Sequence, residues 1–112
     1  MIKQNILVVD DHRENLIALE AILESPNRNL VMATSGNEAL QLALKQDFSL
    51  VLLDVQMPEM DGFEVAELMR QNRRTRSIPI IFVTAISKEQ SYVFKGYQAG
   101  AVDYLFKPID QQ

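Results

Sequence analysis

Five side chains that can bind a metal ion or a phosphate follow short apolar runs in this chain. They are Asp10, Asp11, Asp54, Thr84 and Lys107. If the runs are strands of one parallel sheet, their carboxyl ends lie along one edge, which is where open α/β sheets bind ligands. The pattern therefore predicts that three carboxylates, a hydroxyl and an ammonium group meet at one point, although they are far apart in the sequence. Such a cluster can hold a divalent cation and accept a phosphoryl group.

Each of these side chains suits a step of phosphoryl transfer. Three carboxylates at one point repel one another, so we expect at least one pKa to rise unless a cation neutralises them. Ligands that are all oxygen atoms favour Mg²⁺ as that cation. Asp54 stands alone after an entirely apolar run, which makes it the strongest candidate for a nucleophile. Lys107 would pair with the phosphoryl oxygens, Thr84 would donate from its hydroxyl, and the small Ala85 would leave a backbone N–H within reach.

The elements that must position these groups are strands alternating with helices. Apolar runs predict the strands, and amphipathic stretches with a helical period predict the helices between them. Two runs are apolar at every position, as expected for strands that are covered on both faces. The pattern indicates an α/β fold with a parallel sheet and the element order (βα)₄β. The predicted strands are 5–9, 30–33, 50–53, 80–83 and 103–106.

Short capping motifs mark the starts of the helices. Ser35 with Glu38 three residues later is a capping box, and Asp61 with Glu64 resembles another. Ser87 opens the fourth predicted helix. These starts divide the chain into four strand–helix units followed by a last strand.

The overall composition limits the classes of protein to consider. The 112 residues suffice for one domain with a substantial core, so we expect a single domain over residues 1–112. The 15 acidic and 11 basic side chains give a net charge of −4, which argues against direct binding of nucleic acid. The sequence has no cysteine for disulfides or thiol chemistry. No apolar run is long enough to span a membrane and no secretory signal is evident, so we expect a cytoplasmic protein without membrane contact.

Individual residues also have simpler interpretations. Asp10 and Asp11 could cap the helix that follows them, and His12 is interpreted as a solvated residue at the start of that helix rather than as a metal ligand. A basic cluster before the fourth strand is interpreted as a solvated loop. The simpler interpretations weaken in combination, because four strand ends would each need a suitable polar residue by accident. The members of the basic cluster are Arg70, Arg73, Arg74 and Arg76.

Together the chemistry-bearing segments resemble the signatures of a known family. They are Val8-Val9-Asp10-Asp11, the ten residues from Leu53 to Gly62, Val83-Thr84-Ala85 and Phe106-Lys107-Pro108. In the same order and over the whole chain, they are similar to the signatures of response-regulator receiver domains, the CheY-like family of two-component signalling. The resemblance implies a flavodoxin-like, doubly wound parallel sheet of five strands in the order 2-1-3-4-5, for which CheY itself is an example. That order places the first and third strands side by side.

The resemblance implies a phosphoacceptor and a metal site. Asp54 would accept the phosphoryl group. Asp11 would be the principal Mg²⁺ ligand, with Asp10 close behind, and Asp54 and the backbone carbonyl of Gln56 would complete the protein's ligands. The backbone of Gln56 would also contact the phosphoryl group.

The resemblance further implies phosphoryl contacts and a conformational switch. Lys107, Thr84 and the backbone of Ala85 would bind the phosphoryl oxygens. Thr84 and Tyr104 would form the switch that responds to phosphorylation. The peptide bond between Lys107 and Pro108 would be cis.

The implied function is that of a phosphoacceptor signalling domain. It would take a phosphoryl group from a sensor histidine kinase or a histidine phosphotransfer protein, and then change conformation to control an output. It would be no enzyme beyond catalysing its own phosphorylation and dephosphorylation. The output stays open among a transcription factor, a cyclase, a hybrid kinase and a stand-alone messenger. Receivers normally carry a fifth helix, which a chain ending at Gln112 would lack. We therefore expect an uncovered apolar face and either self-association across it, for instance as a homodimer, or a fold much less stable than that of a longer chain.

Three other functions are alternatives. A Mg²⁺-dependent aspartyl-phosphate hydrolase of the haloacid dehalogenase type needs a second acid two residues after its nucleophile, where this chain has Gln56. A flavodoxin-like flavin binder needs a loop rich in Ser, Thr and Gly after the first strand, where Asp10 and Asp11 would repel a phosphate. A phosphorylation-independent interaction module would not require the complete set of acidic, hydroxyl and ammonium groups.

Overall fold

The fold is a parallel sheet with helices on both faces. The structure, a computed structural model, describes residues 3–84 and the backbone of residues 103–106. The strands pair in the order β2-β1-β3-β4-β5 and every pair is parallel, which confirms the predicted order. The elements are β1 (Gln4–Val9), α1 (Arg13–Leu23), β2 (Arg28–Ala33), α2 (Gly36–Lys45), β3 (Leu50–Asp54), α3 (Gly62–Gln71), β4 (Ile80–Thr84) and β5 (Asp103–Phe106).

The predicted elements agree with these assignments wherever the structure describes them. Four strands are one or two residues longer than predicted, and β5 has the predicted bounds. The fourth helix, predicted to open at Ser87, and the residues after Phe106 lie outside the described residues. Among the helices that are described, none is both long and apolar enough to cross a bilayer.

Apolar side chains of the central strands form a core on each face of the sheet. On one face, Leu7 and Leu53 pack with α2 and α3. On the other face, Val8 and Leu52 pack with α1, to which Leu16 contributes. Successive residues of a strand point to opposite faces, so the buried stretches 6–9 of β1 and 51–53 of β3 must be apolar at every position. The polar residues of these strands are therefore confined to their ends.

Side-chain caps determine where α2 and α3 begin. The Ser35 hydroxyl accepts a hydrogen bond from the Glu38 N–H at 3.1 Å, and the Asp61 carboxylate accepts one from the Glu64 N–H at 2.9 Å. The Glu38 carboxylate in turn accepts from the Thr34 N–H at 2.7 Å, one residue before the position of an ordinary capping box. Both predicted helix starts are thus confirmed, and they hold the ends of the loops that follow β2 and β3.

Two side chains hold the connection from α3 to β4. The Arg70 guanidinium donates to the carbonyl oxygens of Arg76 at 2.7 Å and Ile78 at 3.2 Å, and partial burial lowers its pKa. The buried Thr75 hydroxyl donates to the Met69 carbonyl at 2.7 Å, which satisfies a group at the end of α3. Arg73, Arg74 and Arg76 therefore lie in an exposed loop, as predicted, whereas Arg70 belongs to the last turn of α3 and its side chain holds that loop.

We expect Thr75→Val to lower the free energy of unfolding by about 1–2 kcal/mol. Valine keeps the shape of the side chain but removes the buried donor to the Met69 carbonyl. Urea denaturation measures the loss, and amide hydrogen exchange should become faster in the last turn of α3. Thr75→Ser serves as the control, since it keeps the hydroxyl and should leave exchange in that turn unchanged. A valine variant as stable as the wild type would contradict the assigned role.

Candidate functional site

Three polar strand ends lie together at the carboxyl edge of the sheet. β1 and β3 pair with Val9 opposite Leu53, so Asp10 and Asp54 are the next residues along the two neighbouring strands. β4 pairs with the other side of β3 and ends at Thr84. The register therefore gathers these side chains at one edge, as the apolar runs predicted.

These strand-end side chains are buried. Asp10, Asp54 and Thr84 are 1%, 3% and 0% exposed, respectively. Burial of a carboxylate is costly unless hydrogen bonds or counter-ions compensate its charge. Asp10 receives such compensation from α1, because its Oδ1 atom accepts from the His12 N–H at 2.9 Å and from the Asn15 side-chain amide at 3.4 Å. His12 is the N-cap residue of α1 and no side chain caps the helix, so Asp10 forms a turn just before α1 rather than capping it.

Asp11 has a different environment from Asp10. Its side chain is 21% exposed, but its Oδ1 atom is buried and accepts no hydrogen bond within the part of the chain that the structure describes. A buried carboxylate oxygen without a hydrogen bond is unfavourable, and a bound divalent cation would remove this cost. The oxygen therefore fits the carboxylate-and-water coordination that Mg²⁺ prefers.

The tightest group of ligand atoms at this edge includes a histidine. Among the described residues, Asp10, Asp11 and His12 each offer one ligand atom within 4.8 Å of the other two, and Asp54 is not a member of this group. His12 Nδ1 lies 3.2 Å from Asp11 Oδ1 and 3.5 Å from Asp10 Oδ1. The His12 side chain is 58% exposed at the start of α1, as the sequence analysis expected, but its ring nitrogen is turned towards the carboxylates.

A close backbone contact positions the loop that follows Asp54. The Gly62 N–H donates to the Val55 carbonyl at 2.8 Å. A methyl group on Gly62 would overlap the Asp54 carbonyl oxygen and lie 2.9 Å from Val55 Cα, which is closer than side-chain carbons approach other atoms. Only glycine therefore allows α3 to begin against the peptide that joins Asp54 to Val55.

The same loop contains a strained turn. Glu59 has φ = 70°, a conformation that residues other than glycine seldom adopt. The Met60 N–H donates to the Pro58 carbonyl at 2.8 Å and closes a three-residue turn around Glu59. Backbone strain of this kind is concentrated at functional sites, where the surrounding structure holds it in place. The turn brings the chain from β3 back to the contact at Gly62.

The other predicted site residues are only partly described. Gln56 is exposed in the loop after β3. Tyr104 belongs to β5, but its side chain is outside the description. Ala85, Lys107 and the peptide bond from Lys107 to Pro108 lie outside the described residues. The roles of these four residues stay predictions.

Sequence reasoning did not anticipate three features of this site. The Asp61-Gly62 pair in a loop did signal a turn, but its contact with Asp54 depends on where α3 begins. The turn at Glu59 has no signal of its own, because glutamate is not a residue that favours positive φ. The direction of the His12 ring depends on the conformation at the start of α1, which the sequence does not show.

Comparison with known proteins identifies the family. Residues 6–112 match the family model of the response regulator receiver domain. The chain belongs to this family. A probable cyclic di-GMP phosphodiesterase of Vibrio cholerae serotype O1 is 40% identical over 104 residues, which are 93% of this chain and 23% of that protein. The transcriptional regulatory protein SrrA of Staphylococcus aureus is 38% identical over 104 residues, which are 93% of this chain and 42% of that protein. The chain thus spans less than half the length of these curated relatives.

A solved receiver domain has the same fold. The receiver domain of the sensor histidine kinase PA1611 from Pseudomonas aeruginosa superposes with a TM-score of 0.86 at 32% identity, over 97% of this chain and 88% of that chain. Its structure has a magnesium ion coordinated in the active-site cleft. As a response-regulator receiver domain, this chain is a phosphoacceptor signalling domain of a two-component system.

We expect Gly62→Ala to cost more stability than Gly36→Ala. The added methyl group at Gly62 meets backbone atoms of Asp54 and Val55, which cannot move without shifting the strand end. At Gly36 it meets the side chains of Val65 and Met60, at 2.9 Å and 3.0 Å from their nearest atoms. Overpacking costs typically about 1–3 kcal/mol, so Gly62→Ala should reach the upper end of that range and Gly36→Ala the lower end. Urea denaturation would measure the free energy of unfolding of both variants. Equal losses would contradict the role assigned to the backbone atoms at Gly62.

Proposed function

We propose that residues 1–112 form one receiver domain in which Asp54 is the phosphoacceptor. The supporting observation is the position of Asp54 at the end of the buried central strand β3, 3% exposed, between two polar strand ends. On one side, β1 leads into Asp10 and Asp11. On the other side, β4 ends at Thr84. One carboxylate thus lies between a pair of cation-binding groups and a hydroxyl donor.

The reaction is the transfer of a phosphoryl group from one protein to another. A carboxylate oxygen of Asp54 attacks the phosphorus of a phosphohistidine on a sensor histidine kinase or a histidine phosphotransfer protein. The oxygen–phosphorus bond forms as the phosphorus–nitrogen bond breaks, and the imidazole leaves with the electron pair and takes up a proton. Water later attacks the acyl phosphate, which releases phosphate and restores the carboxylate. The domain therefore catalyses only its own phosphorylation and dephosphorylation.

A cation would complete this site. Asp10, Asp11 and Asp54 would hold Mg²⁺ together with the backbone carbonyl of Gln56, and the backbone of Gln56 would also contact the phosphoryl group. The bound ion would neutralise the carboxylates and stabilise the transferring oxygens. The hydrogen bond from the His12 N–H supports this proposal because it holds the Asp10 carboxylate in place. The buried Asp11 oxygen without a hydrogen bond supports it as well.

The phosphoryl group would then operate a switch. Lys107 would pair with its oxygens as a compact charge, and the backbone N–H of Ala85 would donate to them. Thr84, which is buried at the end of β4, would turn its hydroxyl towards the new acceptor and free space for Tyr104. The peptide bond between Lys107 and Pro108 would be cis, as the resemblance implies.

Membership of the family supports a proposal for the partners and the location. Receiver domains are typically cytoplasmic, and we propose the same location for this chain. Its upstream partner would carry a phosphohistidine, and we propose that the domain acts on its output through the surface that the switch changes. A linked domain, a separate protein or a second copy of the chain could receive this signal.

We expect the chain to gain one phosphoryl group on incubation with acetyl phosphate and Mg²⁺. The label should be stable in acid and labile in base, as an aspartyl phosphate is, and intact-mass spectrometry would count it. EDTA and Asp54→Asn should each abolish labelling, because one removes the cation and the other the nucleophile. A label that persists in the asparagine variant would show that Asp54 is not the acceptor. Continuous release of phosphate from many small phosphate esters would identify a hydrolase instead.

We expect Thr84→Ala to accept the phosphoryl group but to transmit less conformational change. Loss of a hydrogen bond to a charged group should remove about 1.5–3 kcal/mol of bias towards the switched state. Backbone NMR shifts on phosphorylation, followed at β5 around Tyr104, would measure the change. Thr84→Ser keeps the hydroxyl and should behave as the wild type. Equal shifts in the alanine variant and the wild type would refute the switch.

A further inference from the structure

The contact between His12 and Asp11 is short but is not a hydrogen bond. Nδ1 of His12 lies 3.2 Å from Oδ1 of Asp11, yet that oxygen has no hydrogen-bond partner among the described residues. Nδ1 and Oδ1 are therefore close together without being aligned for a hydrogen bond. When Nδ1 carries no proton, both atoms present a lone pair, and two such atoms at this separation can bind the same ion.

The distances at this cluster match those between two ligands of one metal ion. Ligand atoms bound at about 2.0–2.2 Å are about 2.8–3.6 Å apart for coordination angles between octahedral and tetrahedral. The separations from His12 Nδ1 are 3.2 Å to Asp11 Oδ1 and 3.5 Å to Asp10 Oδ1, both within that range. The imidazole nitrogen thus already lies at separations from the two carboxylate oxygens that suit ligands of one ion, without any movement of the loop.

The backbone around the cluster supports a fixed arrangement. Asp10 Oδ1 accepts from the His12 N–H at 2.9 Å, which ties the first member of the cluster to the third. His12 is the N-cap residue of α1, and its carbonyl accepts from the Asn15 and Leu16 N–H groups at 3.1 Å and 3.3 Å. Hydrogen bonds therefore hold the His12 backbone at both its N–H and its carbonyl. Coordination of an ion would have to fix only the side-chain torsions of His12.

We propose that His12 is an additional metal ligand, which makes this site select first-row transition ions over Mg²⁺. The inference rests on the proposed metal site at Asp10 and Asp11 and adds the imidazole to it. Imidazole nitrogen suits ions such as Co²⁺, Ni²⁺ and Zn²⁺, whereas Mg²⁺ prefers oxygen and keeps several waters. His12 would thus strengthen the binding of transition ions far more than that of Mg²⁺.

The composition of the chain makes this proposal accessible to direct measurement. The sequence has one histidine and no cysteine, so a nitrogen-ligand signal from a side-chain imidazole can come only from His12. The protein must be prepared without a polyhistidine tag, which would bind the same ions. Isothermal titration calorimetry at one fixed pH would give the dissociation constants of Co²⁺ and Mg²⁺, and the NMR signals of the single imidazole would report whether its ring binds Co²⁺.

We expect His12→Gln to weaken Co²⁺ binding by at least about tenfold and Mg²⁺ binding by less than about threefold. Glutamine keeps a polar side chain at this exposed position but lacks the imidazole nitrogen. In the wild type, the imidazole proton signals should show large contact shifts at one equivalent of Co²⁺, which require a bond from the ring to the ion and not only its binding to Asp11. Asp11→Asn should weaken both ions, because it removes a ligand that they share.

Any of four results would overturn the inference. Three of them are an unchanged Co²⁺ affinity in His12→Gln, equal losses for the two ions in that variant, and imidazole signals that show no contact shift with Co²⁺. A Co²⁺ affinity unaffected by Asp11→Asn would place the ion elsewhere and would overturn it as well. Labelling of wild-type Asp54 with Mg²⁺ and acetyl phosphate tests the proposed function without cobalt, so the two proposals can fail separately.

Discussion

The burial of carboxylates at the edge of an apolar sheet is the constraint on which the rest of this structure depends. Asp10 and Asp54 end strands that are covered on both faces, so their charges cannot be hydrated as they would be in a loop. The start of α1 compensates Asp10 with a backbone N–H. Asp11 has a buried oxygen for which the described residues supply no such donor. Among the described residues, this edge therefore leaves one buried carboxylate oxygen without a hydrogen bond, and the proposed cation would compensate it.

The positions of the residues at this edge are well defined, because the register of the apolar strands cannot slip. A shift of one residue would turn every core side chain of β1 to the opposite face, so the pairing of Val9 with Leu53 is determined by packing far from the site. The loop after β3 adds two further restraints, the contact at Gly62 and the turn at Glu59. Both restraints cost conformational freedom or strain, and the packing of α3 against the sheet, including the edge-to-face contact of Phe63 with Phe82, supplies the stability that maintains them.

The sequence predicted those parts of the fold that depend on local patterns. Apolar runs located the strands to within two residues, and the cap residues Ser35 and Asp61 located two helix starts. The order of the strands followed from the resemblance to receiver domains rather than from composition or periodicity. The gathering of Asp10, Asp54 and Thr84 at one edge followed from the rule for parallel sheets alone.

The remaining features could not be predicted because they depend on contacts between residues whose relative positions the fold determines. The Glu38 carboxylate accepts a hydrogen bond from the Thr34 N–H, and this contact depends on the direction in which the chain leaves β2. The role of Arg70 depends on a loop that brings two carbonyl oxygens within reach of its guanidinium. His12 looked like a solvated residue because its exposure is indeed high, and exposure alone does not show which way a ring nitrogen points.

Helix α3 connects the carboxyl edge of the sheet, after β3, to the opposite edge, before β4, and contacts hold it at both ends. It begins at Gly62 against the peptide after Asp54, and it ends where Thr75 and Arg70 hold the connection to β4. The hydrogen bonds of Arg70 and Thr75 hold the last turn of α3 and the connection that follows it. The first turn is held separately, by the Asp61 cap and by the bond from the Gly62 N–H to the Val55 carbonyl. One helix thus joins the basic loop before β4 to the acidic edge of the sheet after β3.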